Sequence, residues 1–347
     1  MIFYTNSHPY YCGIDLHARS LYVCIIDQSG ETIVHKDIKA NPEALQNLLE
    51  PYIGNIIVGV ECMHCWYWVA DWCEDNGIDF ILGHALYMKA IHGGKAKNDR
   101  IDSFKIAKLI RGGNFPLAYH YPKEMRATRD LMRRRMHIMR HGAQLKAHVK
   151  NTTSQYNLPT NKLNLRYPGA REQMRDRFPD PAVQKSIDLD LNLIDFYNKE
   201  LSSVEWYIKK QAKQHNARDF NLLKTISGVG DILALSILYE IGDIKRFESV
   251  QKFASYSRLV KCKAESAGKT YGTQGNKIGN AHLKWAFSEA AILFLRNNDS
   301  AKHYIAKMEK RMPKSKALSA LAHKLGRAIY YMLRNKTVFD ENKFLAV

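Results

Sequence analysis

Acidic residues are in short supply: 34 Asp+Glu stand against 52 Lys+Arg in a chain of 347 residues, for a formal net charge of +18. An excess of that size repels itself until a polyanion neutralises it, and nucleic acid is the first candidate. Long apolar runs are also missing. The most apolar stretch, Ile56 to Cys73, is broken by Glu61, His64 and Asp71, so no membrane span is expected. There are only six cysteines, Cys12, Cys24, Cys62, Cys65, Cys73 and Cys262, and five of them sit in apolar strand-like or helix-like runs. That pattern argues against a disulfide framework and for a reducing compartment. Cys62 and Cys65, with His64 between them, form a lone CxxC; with no second pair at a similar spacing, core packing outweighs a zinc knuckle. No leader pattern opens the chain, and a cytoplasmic, nucleoid-associated protein is expected. With 46% hydrophobic residues there is still ample material for a core, which excludes a disordered tail or a small stapled module. The length suggests about two or three domains.

The positive charge is unevenly spread. Residues 1–120 hold 10 Lys+Arg and 13 Asp+Glu, net −3, which leaves 42 and 21, net +21, for residues 121–347. The near-neutral third alternates strand and helix signals. Tyr10 to His17, Leu21 to Gln28 and Glu31 to Ile38 read as an antiparallel meander. A helix capped by Asn41, a strand at Asn55 to Glu61, a helix at Trp66 to Asn76 and a strand at Asp79 to Leu82 follow. A helical stretch from His84, a polar Gly93 to Asn98 loop and a helix at Asp99 to Arg111 complete a mixed α/β order. The middle is helical and charged: Lys123 to Lys150 carries nine Lys+Arg and two Asp+Glu. From Ile187 to Ile208 the apolar gaps are 4, 3, 3, 4, 3 and 4, a near-heptad seam that suits either a coiled-coil arm or an amphipathic helix on its own core.

Four acids stand out by position. Asp15 and Glu61 lie in otherwise apolar strands, where a carboxylate is expensive without a partner. Asp99 and Asp102 are three apart at a helix start and point to one side of it. If the first strand pairs with the fourth and this helix packs against that edge, the four converge, and convergent carboxylates suit divalent cations flanking a phosphodiester. Plainer roles exist for two of them: Asp99 as a complement to the helix dipole and Asp102 as a partner for Lys105. Backbone contacts to nucleic acid are expected from Lys97, Arg100, Arg133, Arg134 and Arg135, and from Lys261, Lys263, Lys269 and Lys277 in a glycine-rich hairpin or loop. Gly228 and Gly230 sit between two apolar helical turns. They either present N–H groups to a phosphate or form an ordinary helix-turn-helix packing element.

Several segments together resemble the DEDD insertion-sequence transposases, the IS-one-ten family with the Piv-type DNA invertase among its relatives. They are the strand around Asp15, Val58-Gly59-Val60-Glu61, Lys97-Asn98-Asp99-Arg100-Ile101-Asp102, Ser227-Gly228-Val229-Gly230, Phe253-Ala254-Ser255-Tyr256, Glu265-Ser266-Ala267-Gly268 and Lys277-Ile278-Gly279. The resemblance runs from about Tyr11 to the final helices. It implies a ribonuclease-H-like (RuvC-like) α/β catalytic domain over 1–120, an α-helical coiled-coil middle over 121–215 and a mostly α C-terminal transposase domain over 216–347. Asp15, Glu61, Asp99 and Asp102 match the family's acidic tetrad, which holds Mg2+ or Mn2+, and Ser266 matches its serine nucleophile. One position departs: Ala267 stands where a glycine is usual, which makes Ser255 and Ser257 the fallback nucleophiles. The resemblance further implies covalent serine–DNA strand exchange, donor and target DNA as substrates, a structured noncoding guide RNA, and a homodimer or homotetramer whose composite site draws acids and serine from different subunits. The residues alone also fit a Holliday-junction-type hydrolytic nuclease or a catalytically degenerate nucleic-acid-binding protein.

Overall fold

A computed structural model describes residues 2–91, 98–159, 164–274 and 278–346. It divides into two compact units, Met1–Lys123 and Glu124–Val347. Among the described residues no helix is long and apolar enough to cross a membrane.

In chain order the first unit contains β1 (Phe3–Tyr4), β2 (Tyr10–Leu16), β3 (Ser20–Asp27), β4 (Thr32–Lys39), α1 (Pro42–Leu49), β5 (Ile56–Glu61), α2 (Tyr67–Asp75), β6 (Asp79–Gly83), α3 (Ala85–Ile91), α4 (Asp99–Arg111) and β7 (Phe115–Ala118). The seven strands form one sheet in the order β1-β7-β6-β5-β2-β3-β4. β2, β3 and β4 are the antiparallel meander, whereas β2-β5 and β5-β6 are parallel. β5 is buried over Ile56 to Val60, as a central strand covered on both faces must be. One face packs Cys12, Ile14, Val58 and Val60 against Leu45 and Leu49 of α1 and Val69 and Cys73 of α2. The opposite face packs Tyr11, Ile57 and Ile81 against Ile106, Ala107 and Ile110 of α4. The outer strand β4 is largely exposed and carries Lys36, Asp37 and Lys39, charges that discourage edge-to-edge pairing. The short edge strand β1 pairs antiparallel with β7, which pairs antiparallel with β6, and both β1 and β7 lie outside the expected element order.

The second unit is helical: α5 (Lys123–Gln155), α6 (Pro168–Arg175), α7 (Pro181–Leu223), α8 (Asp231–Ile241), α9 (Val250–Tyr256), then a hairpin of β8 (Cys262–Ser266) and β9 (Lys269–Gln274), then α10 (Ala281–Phe294), α11 (Asp299–Glu309), α12 (Lys314–Asn335) and α13 (Glu341–Leu345). α8 is buried from Leu233 to Ile241, so it is the central helix, apolar all round. Phe253, Phe287, Phe294, Leu325 and Ile329 from the surrounding helices complete this core.

The near-heptad seam has a partner inside the same chain. Ile187, Leu191 and Ile194 bury against Val149 of α5, while Ile208 shares a core with Met132. Arg135 pairs with Glu205 at 2.6 Å and His148 pairs with Asp190. Early residues of α5 therefore meet late residues of α7, and the two long helices run antiparallel. α7 bends at Asn216, whose backbone is non-helical (φ −161°, ψ 74°). The Asn216 side-chain oxygen accepts from Asp219 N at 3.0 Å and so caps the following turns.

Candidate active site and metal centre

The parallel pair β2-β5 places the two strand acids side by side. Its register runs Gly13↔Gly59 and Ile14↔Val60, so Asp15 and Glu61 occupy the next position on each strand. Alternation along the strands puts both on the α4 face. The glycine two residues before each acid explains how α4 comes so close. A Cβ at Gly13 would lie 2.3 Å from Ser103 O and 2.4 Å from Ala107 N, and one at Gly59 would lie 2.5 Å from Ile110 Cδ1. The glycines leave room for α4 to lie against the sheet, and its first turn then brings Asp99 to Asp15.

That first turn is held from two sides. Asn98 Oδ1 accepts from Ile101 N at 2.7 Å, so the cap is supplied by Asn98 and Asp99 is not needed for it. From β4, His35 Nε2 lies 2.8 Å from Arg100 O, and since a carbonyl only accepts, Nε2 carries the proton. Ser103 Oγ donates to the same carbonyl at 3.0 Å.

The resulting three-residue cluster holds two of the four expected acids, Asp15 and Asp99, without Glu61 or Asp102, and has a member that the tetrad pattern did not contain. His17 Nε2 lies 3.6 Å from Asp15 Oδ2 and 3.5 Å from Asp99 Oδ2. Donor atoms of Asp15, His17 and Asp99 all lie within 4.8 Å of one another. The Asp15 side chain is 15% exposed and that of Asp99 54%, so the cluster opens from the end of a central strand towards solvent. Asp102 also binds Lys105 Nζ, at 3.3 Å, as its plainer role anticipated. Hard carboxylate oxygens converging on one point fit a divalent cation such as Mg2+ or Mn2+. Cys62, His64 and Cys65 form no three-ligand group among the described residues. Cys62 is exposed, while Cys65 Sγ donates to Leu16 O at 3.7 Å.

In the second unit, Ser266 ends β8 and pairs with Lys269 across a two-residue turn. Both turn residues are left-handed, Ala267 at φ 50° and Gly268 at φ 74°. A turn of this kind prefers glycine or asparagine, which accounts for the usual glycine where Ala267 stands. Ser266 is exposed, as is Ser255 in α9, but Ser257 is fully buried and so is a poor fallback nucleophile.

The basic residues divide by role. Arg133 Nε contacts Glu240 Oε1 at 2.6 Å, Arg129 Nη2 contacts Glu240 Oε2 at 3.1 Å, and Asn280 Nδ2 donates to the same oxygen at 2.7 Å. Burial alone would raise the Glu240 carboxyl, but the Arg133 hydrogen bond and the charges of Arg129 and Arg133 outweigh it and hold the pKa down at about 2. With Arg135 on Glu205, two of the three consecutive arginines make ion pairs inside the protein, and Arg134 is the one on the exposed face. Arg100, Lys261 and Lys269 are exposed. Lys97 and Lys277 lie outside the described residues, and so does the side chain of Lys263. Gly228 (φ +82°) makes room for a neighbour: a Cβ there would lie 2.5 Å from the Leu293 backbone carbon. Gly230 precedes α8, whose first-turn Asp231 is paired with Lys209 and Lys224. Asp231 thus already supplies a negative charge at this helix start, which favours the packing role for the turn.

Two carboxylates and an imidazole gathered where a central strand of a mixed sheet meets a helix start, in a chain whose other unit is helical and rich in basic residues, are an arrangement suited to a metal-assisted enzyme acting on nucleic acid. A DEDD transposase model of the IS110 family matches residues 12–158, and one described as "Transposase IS116/IS110/IS902 family" matches residues 220–306. The chain belongs to this IS110 family of insertion-sequence transposases. It is similar to the transposase for insertion sequence element IS1111A of Coxiella burnetii, with 21% identity over 341 residues covering 94% of this chain and 90% of the relative. It is also similar to the insertion element IS116 uncharacterized 44.8 kDa protein of Streptomyces clavuligerus, with 24% identity over 119 residues, 34% of this chain and 30% of that protein.

Proposed function

We propose that the protein transposes an insertion sequence by cutting and rejoining DNA through a covalent Ser266 intermediate, with Asp15, Glu61, Asp99 and Asp102 as the acids of a divalent-metal centre. The observation that carries this reading is the placement of Asp15, beside Glu61 on the neighbouring parallel strand, within 4.8 Å of Asp99 at the start of α4. The mixed order of antiparallel meander and parallel strands supports a ribonuclease-H-like assignment.

In this reading the acids hold Mg2+ or Mn2+, which when bound stabilises charge on the phosphate under attack. Ser266 Oγ attacks phosphorus as the P–O bond to the departing strand breaks, the serine proton passes through water to the departing strand's oxygen, which leaves as a hydroxyl, and one DNA end remains on the serine as a phosphodiester. The tight turn at Ala267-Gly268 leaves Ser266 exposed at the end of its strand, where a phosphodiester can approach it. The basic remainder of the chain, with exposed Arg134, Lys261 and Lys269, binds the backbones of donor and target DNA and of a structured guide RNA, while base pairing selects sequence. Leu189, Phe196 and Tyr207 are exposed on α7, and Leu189 and Phe196 are one heptad apart, which supports self-association of this helical arm into a dimer or tetramer.

The reading is tested by comparing DNA cleavage by Ser266→Ala and Asp15→Asn variants. Loss of strand cleavage in both supports it. Full cleavage by Ser266→Ala, with Asp15→Asn inactive, replaces it with a hydrolytic nuclease. Nucleic-acid binding by the wild type with no cleavage under any metal replaces it with a binding protein.

A further inference from the structure

His17 lies just past the end of β2, and its backbone N–H donates to Ser20 O at 3.0 Å, so the β2-β3 turn fixes where the imidazole starts. Its Nε2 faces two carboxylate oxygens, at 3.5 and 3.6 Å. These separations are too long for a charge-assisted hydrogen bond, which closes to about 2.7–2.9 Å. They are close to the spacing of donors that share one ion. With bonds of about 2.1 Å, neighbouring ligands sit about 3.0 Å apart around an octahedral ion and about 3.4 Å apart around a tetrahedral one. The ring is also half exposed, with its side chain at 45%, so an ion placed here keeps positions open for phosphate or water.

We infer that His17 is a nitrogen ligand of the divalent ion, which makes the Asp15–Asp99 centre a mixed nitrogen–oxygen site. The inference rests on the reading of Asp15 and Asp99 as metal ligands. An imidazole adds a softer donor than carboxylate or water, so the site holds Mn2+ more tightly than Mg2+. In the acid-only alternative His17 merely rests against the carboxylates, and an incoming metal displaces it.

The test uses the full-length protein with Mn2+ alone as the probe, read by pulsed electron paramagnetic resonance and by Mn2+ titration, with Mg2+ as competitor. The wild type is expected to show a nitrogen coupling on bound Mn2+. In His17→Ala the coupling disappears, Mn2+ affinity falls about tenfold, and the preference for Mn2+ over Mg2+ narrows, while thermal melting without metal confirms that the variant folds. Mn2+ that binds in an Asp15-dependent way with no nitrogen coupling, or more tightly in His17→Ala, overturns the role of His17 and leaves the acid centre standing. Mn2+ binding that is absent, or indifferent to Asp15→Asn, overturns the acid centre and the His17 inference with it.

Discussion

Replacing Gly13 with alanine tests how the sheet delivers Asp99 to Asp15. The added methyl would sit 2.3 Å from Ser103 O and 2.4 Å from Ala107 N, both on the α4 backbone, so no side-chain rotation relieves the clash. Restoring an ordinary contact of about 3.4 Å requires α4 to withdraw by roughly 1 Å. Overpacking of this kind costs about 1–3 kcal/mol, and a 1 Å displacement of catalytic groups costs on the order of 100-fold in rate. Gly59→Ala is the matched control. Its methyl meets the end of the Ile110 side chain at 2.5 Å, which can rotate away, so a smaller loss of stability and little loss of rate are expected. Urea unfolding gives the stability difference, and single-turnover DNA cleavage with Mg2+ gives the rate. If Gly13→Ala cleaves as fast as Gly59→Ala while both remain folded, close approach of α4 does not set the site.

The buried Glu240 makes stability pH-dependent. Its pKa is depressed from 4.5 to about 2, so its contribution of about 3 kcal/mol is fully present above pH 4.5 and is lost as pH falls towards 2. Glu240→Gln should abolish that slope in denaturant titrations and cost about 3–5 kcal/mol at neutral pH by leaving Arg129 and Arg133 without their carboxylate. Neighbouring arginines should behave differently. Arg134→Ala should weaken DNA or RNA binding and lower the salt slope by about 1, whereas Arg133→Ala should lower the melting temperature. Ala267→Gly should relieve a left-handed alanine, stabilising the turn by up to about 1 kcal/mol and slowing amide exchange at Lys269.

The alternation of apolar residues between turn signals made β2, β3, β4 and β5 legible, and the acids within β2 and β5 followed from their cost in apolar strands. β1 and β7, at two and four residues, are too short to show a period. The mutual burial of α5 and α7 was not decidable from the seam, because Ile187, Leu191 and Ile194 read the same whether their partner lies in the same chain or another. The run Arg133-Arg134-Arg135 reads as one basic patch, yet successive residues on a helix point about 100° apart, so the three divide among Glu240, solvent and Glu205. The close approach of α4 had a signal that composition hides. Gly13 and Gly59 open the repeated pattern Gly-x-acid, Gly13-Ile14-Asp15 and Gly59-Val60-Glu61, in which each glycine faces the same way as the acid that follows. His17 shares that spacing, two residues beyond Asp15, but a lone histidine beside an acid does not announce a ligand.

Whether Ser266 carries DNA covalently under the control of the carboxylates is read directly by mass spectrometry of the protein after reaction with donor DNA and Mg2+. The expected product is a peptide containing Ser266 with a nucleotide attached through phosphate, present in wild type and absent from Ser266→Ala and Asp15→Asn. Complete strand cleavage with no such peptide, or an adduct on another residue that survives Ser266→Ala, would contradict a covalent role for Ser266.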